Sequence, residues 1–244
     1  MRLRLTALLA TLLTASPAAA QLDQLLKQLP QIPGTEQIPA GTSVGDVRIG
    51  QALKEALQVG TANAVALTGK TGGYFDNQAI RIVLPERLRT FERGLRAVGY
   101  GAEVDELVLG MNRAAERAAP QAKQIFWDAI GAMTIDDARG ILNGSETAAT
   151  DYFKTKTTEP LSTAFRPIVE QSMRQVGVSR QYKELLGRAQ AIPFLNVGAY
   201  DLDEYVVGKA LNGLFHVVGE EEKKIRTNPS ARVTELLREV FGRR

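Results

Sequence analysis

The 244-residue chain contains no cysteine and one histidine, His216. Without cysteine it has no disulfide framework, thiol nucleophile, iron–sulfur cluster or Cys-ligated zinc. A lone imidazole excludes a multi-histidine metal centre and leaves only arrangements that use one His. Aromatic residues make up 6% of the chain, and charge of neither sign dominates: 30 Lys and Arg face 27 Asp and Glu, a formal net charge of +3. What is present is ordinary globular material, 44% hydrophobic and 23% charged, enough to bury a sizeable core.

Residues 1–20 read as a secretory signal peptide. Arg2 and Arg4 open it, an apolar run from Leu5 to Leu13 follows, and Ala18-Ala19-Ala20 ends it before Gln21. The run is shorter than the roughly 20 residues of a membrane span, so cleavage after Ala20 is expected. Without a cysteine there, no lipid anchor is expected either, which points to a free periplasmic protein. Removing the leader takes two basic residues and no acidic one, leaving a charge near +1 and no global field for nucleic acid or anionic membrane. The overall pI of about 9.1 misleads on this point.

Residues 21–45 combine a short amphipathic stretch (Leu22, Leu25, Leu26, Leu29) with Pro30, Pro33, Gly34, Pro39, Gly41 and Gly45, and are read as a small helix plus linker. From residue 46 to 244 the pattern predicts an all-α fold: a single multi-helix domain with kinked helices and at most one short extended strand. Ile49, Ala52, Leu53, Ala56, Leu57 and Ala64 recur at helical spacing until Gly69, Gly72 and Gly73. Ala79 to Leu84 is β-like, and Pro85 ends it. A stripe from Val104 to Met133 crosses Pro120, which admits a kinked helix or two abutting ones. Thr134 with Asp137, Ser145, and Asp201 with Glu204 are helix-start signals. Pro160 is expected to open a helix that carries Pro167 inside, and Asn228-Pro229 a last one through Phe241.

Several groups are candidates for chemistry. Gly69-Lys70-Thr71 resembles the end of a phosphate-binding loop, but Ala64 stands where that motif requires glycine, and a helix precedes it instead of a strand. His216 and Glu220 stand one turn apart and admit an acid/base pair, or simply a neighbouring pair on a helix face. Asp136-Asp137 and Asp201-x-Asp203-Glu204 fit helix capping better than metal binding or glycoside hydrolysis. Glu220-Glu221-Glu222-Lys223-Lys224 reads as a solvated helix face. Arg87, Arg89, Arg93 and Arg96 wrap around their helix. Asn112, Arg113 and Glu116 share one helix side and form either a buried network that fixes packing or part of a ligand site, with the structural role favoured. Asp151-Tyr152-Phe153 is a further candidate, although aromatics more often pack than bind. No motif for a cofactor or metal is present.

Leu109-Gly110-Met111-Asn112-Arg113-Ala114-Ala115-Glu116, Met133-Thr134 with Asp137-Ala138, Ile141-Leu142-Asn143-Gly144 and Ala148-Ala149-Thr150-Asp151-Tyr152-Phe153 resemble the bacterial family called domain of unknown function 4197. So do Phe165-Arg166-Pro167-Ile168-Val169, Ala210-Leu211-Asn212-Gly213-Leu214-Phe215 and Glu221-Glu222-Lys223-Lys224-Ile225-Arg226. The resemblance implies an exported, mainly helical protein of Gram-negative bacteria, with no catalytic motif to carry over. Some members look like lipoproteins, and this chain departs from them in lacking the cysteine. The sequence thus favours a periplasmic helical protein that binds an apolar ligand or an envelope protein over an envelope hydrolase using His216 or a carboxylate pair, or a structural oligomer.

Overall fold

A run of buried positions four residues apart organises the longest helix. Phe153, Thr157, Leu161, Phe165, Val169 and Met173 are all essentially inaccessible, and at 3.6 residues per turn this spacing keeps them on one slowly drifting stripe. The computed structural model describes residues 44–175, 177–189 and 200–227, all within one compact unit, Ser43–Arg244. Its helices are α1 (Val44–Gly69), α2 (Arg89–Ala97), α3 (Gly101–Ala118), α4 (Ala122–Gly131), α5 (Ile135–Asn143), α6 (Ala148–Gln175), α7 (Val178–Ala189) and α8 (Leu202–Thr227). The described residues contain helix and loop and no β-strand. The leader, the short amphipathic stretch with its linker up to residue 43, and the expected helix after Asn228 lie outside the described residues; Val44 and Gly45, expected in the linker, already belong to α1.

α6 and α8 form the centre of the assembly, with α1 and α3 packed on them. Phe126 of α4, Phe153 of α6 and Phe215 of α8 meet edge to face, with ring centroids 5.1 Å apart for Phe126–Phe153 and 6.2 Å for Phe126–Phe215. Burying each ring stabilises the fold by roughly 1.5–3 kcal/mol, and the edge-to-face geometry adds about 1 kcal/mol. Pro120 separates two helices instead of bending one: a 3-10 turn at Ala119–Gln121 joins α3 to α4.

Pro160 departs from its expected place. It does not open a helix but lies inside α6 together with Pro167, so the helix begun after Ser145 runs unbroken to Gln175. Both prolines are exposed, on the side away from the buried stripe. The carbonyls they leave without an i+4 donor, those of Lys156 and Thr163, therefore sit on the outward side, and the stripe keeps its packing.

Between α1 and α2 the chain is irregular but firmly held. Gly72 adopts a φ of +83°, which suits glycine, as the chain leaves α1. Tyr74 then enters the core and its hydroxyl donates to the Ala210 carbonyl at 2.6 Å. Burial, together with the nearby Glu116 charge, holds this phenol far above its ordinary pKa. Gly213 makes the approach possible, since a Cβ there would lie 2.6 Å from the Tyr74 ring.

The β-like run from Ala79 is not a strand: Ala79 and Ile80 belong to a turn in which the Ile80 and Arg81 N–H groups donate to the Asn77 carbonyl, and beyond it Asn112 takes the place of a partner strand. The Ile82 N–H donates to Asn112 Oδ1 at 2.8 Å, and Asn112 Nδ2 donates to the Ile82 carbonyl at 2.7 Å. One side chain thus supplies both bonds of a ladder position.

Candidate functional site

The sequence-selected polar residues separate into three places. Asn112, Arg113 and Glu116 are together on α3. Besides its two bonds to Ile82, Asn112 Nδ2 donates to the Val108 carbonyl at 2.7 Å, so both of its amide protons are used. Glu116 Oε1 accepts from the backbone N–H groups of Tyr74 and Phe75, each at 3.2 Å, and Glu116 Oε2 accepts from Arg113. With Asn112 at 0% and Glu116 at 3% exposure, the trio pins the irregular segment to α3 and offers a ligand no free polar atom on Asn112.

His216 and Glu220 lie on the outer side of α8, both side chains about half exposed, with Nε2 3.6 Å from Oε1. Glu220 also borders an open cleft of about 640 Å³ between the end of α1, the Lys70–Ala79 loop and Val217. The Gly-rich Lys70 loop forms one wall of this cleft.

The run Glu220 to Lys224 is not a solvated face. Glu221 and Glu222 are buried, at 7% and 6% exposure. Glu222 reaches from α8 to the start of α6, where its carboxylate accepts from the N–H groups of Ala149 at 3.0 Å and Thr150 at 2.9 Å, and from the Thr150 hydroxyl at 2.8 Å. Those amides are among the orphan donors of a helix N-terminus, where a negative charge is favoured. Arg226 pairs with the same carboxylate at 2.8 Å and also donates to the Ile141 carbonyl. The signal was present in the period, because Leu214, Val218, Glu221, Glu222 and Ile225 continue one helical stripe.

The third place is a groove of about 450 Å³ between α4, the start of α5 and α6. Ile125, Ala129, Ala132 and Pro160 supply apolar walls, and Asp128, Thr134, Asp137, Tyr152 and Lys156 stand among them. Thr134 and Asp137 form a reciprocal capping box at the start of α5. The bonds from the Thr134 N–H and hydroxyl hold the Asp137 carboxyl below its ordinary pKa. Tyr152 spans the groove and its hydroxyl donates to the Ala129 carbonyl at 3.0 Å. Burial first, and the Asp137 charge second, push that phenol up. Its neighbour Asp151 is exposed, accepting from Thr147 at 3.2 Å and lying 3.8 Å from Lys154. Of the sequence candidates, Asp137 and Tyr152 line the groove. Lys156 and Pro160 carried no signal on their own, because the groove arises where three helices meet.

Two spaces between α1, α6 and α8 each admit about 10 Å³, room for one water at most. Among the described residues no cluster of His, Asp or Glu could hold a metal ion, and no helix is long and apolar enough to cross a membrane. No curated protein and no solved structure matches the chain. A family model does match, over residues 43–242, and carries the description protein of unknown function, DUF4197. The match covers most of the chain, which therefore belongs to that family.

Proposed function

We propose that this member of the DUF4197 family is a periplasmic binding protein, that its site is the groove between α4, α5 and α6, and that its ligand is the apolar surface of an envelope protein. The observation that carries the reading is the groove itself. It has the volume of a ligand site and mostly apolar walls, with a few polar groups on its borders. It is open, which suits a segment of a protein better than an enclosed lipid chain. The basic start, the Leu5–Leu13 run and the Ala18-Ala19-Ala20 ending support export to the periplasm.

A photo-crosslinking amino acid placed at Ala132, on the groove wall, tests the proposal in the native host. Gly208 serves as the control position, because it is exposed and a side chain there meets nothing within 4 Å. The expected result is a protein adduct of one mass from position 132 and none from 208. Adducts of lipid mass would transfer the groove to a small apolar ligand. No adduct at 132, or equal adducts at both positions, would overturn the site.

A further inference from the structure

Resting on that reading, the polar balance of the groove indicates the chemistry of its occupant. Its hydroxyl donors are spent internally: Tyr152 donates to the Ala129 carbonyl, Thr134 to Asp137 at 2.7 Å, and Thr157 to the Phe153 carbonyl at 2.6 Å. What faces the open space are acceptors. Asp128 and Asp137 bring two carboxylates, and Asp128 accepts from the Gln124 amide at 2.8 Å. Among the described residues Lys156 is the one cation lining the groove, its ammonium 5.9 Å from the centre of the Tyr152 ring.

An apolar floor ringed by surplus acceptors and net negative charge is complementary to an apolar surface bearing N–H donors and positive charge. We propose that the groove takes a basic, apolar-faced peptide segment of its protein partner, with Lys or Arg beside the side chains that fill the floor. Global attraction does not produce this preference, because the chain without its first 20 residues is itself slightly basic.

Fluorescence anisotropy with two labelled amphipathic 14-residue peptides, one of Leu and Lys and one of Leu and Glu, tests it at physiological salt. The purified protein is expected to bind the Leu/Lys peptide and to ignore the Leu/Glu peptide. Asp128→Lys should weaken the Leu/Lys complex about fivefold and Lys156→Glu should tighten it by a similar factor, the scale of exposed charge pairs. Ala132→Trp should abolish binding by filling the groove. All three positions are exposed, so circular dichroism should be unchanged. Equal binding of both peptides, lost in Ala132→Trp, would refute the charge preference and leave the groove as the site. Binding of the Leu/Lys peptide that none of the three variants alters would refute the groove as its seat, and the cross-linking result at Ala132 then decides the site reading separately.

Discussion

Asn112 shows how much one side chain can hold. It satisfies the Ile82 N–H and carbonyl at once, in a fully buried place that water does not reach. Asn112→Ala leaves both backbone groups unpaired, and the expected loss is about 2–6 kcal/mol, from roughly 1–3 kcal/mol for each stranded group. Urea unfolding checks it through a lower midpoint at unchanged slope. The sequence placed Asn112 and Glu116 on one helix side but was silent about their partners. Ile82 lies 30 residues away and Tyr74 lies 42 residues from Glu116, and helical periodicity carries no information across such gaps.

At the scale of elements, the apolar stripes and caps made most of the helices legible. The Thr134–Asp137 box and the Asp201 cap, which accepts from the Glu204 N–H at 2.9 Å, are both present. Local rules failed where packing overrode them. Pro160 reads as a helix start by residue preference, yet the stripe from Phe153 to Met173 carries α6 straight through it. Glu221 and Glu222 read as solvent-facing by charge, yet a helix N-terminus supplies the donors that a buried carboxylate requires. Glu222→Gln keeps the shape while removing the charge, so it weakens the link from α8 to α6 and the ion pair with Arg226. The expected cost is about 1–3 kcal/mol. Faster hydrogen exchange at the Ala149 and Thr150 amides, with the far end of α6 unaffected, is the readout.

At the scale of the molecule, α8 is the element on which the others close. Val206, Ala210, Leu214, Phe215, Val217 and Val218 all lie in the core, and Tyr74, Phe126, Thr150 and Gly60 each meet this helix. A chain truncated after Ala189 is therefore expected to keep helix content while losing fixed packing. Near-UV circular dichroism of the buried aromatics, Tyr74 among them, should collapse while the far-UV signal persists. The groove belongs to this scale too, since its walls come from α4, α5 and α6, and no single segment announces it.

The contact between the first and last described helices has a consequence for how the protein is made. Asn63 of α1 donates to Glu221 of α8 across 158 residues of sequence, and beside it Gly60 lies against Ile225. Translation at about 5–20 residues per second puts roughly 8–30 s between the appearance of these two surfaces. Throughout that interval α1 exposes a face that only α8 can cover. Until α8 emerges, the nascent chain therefore carries an apolar face without its cover, the kind of surface that holdase chaperones bind.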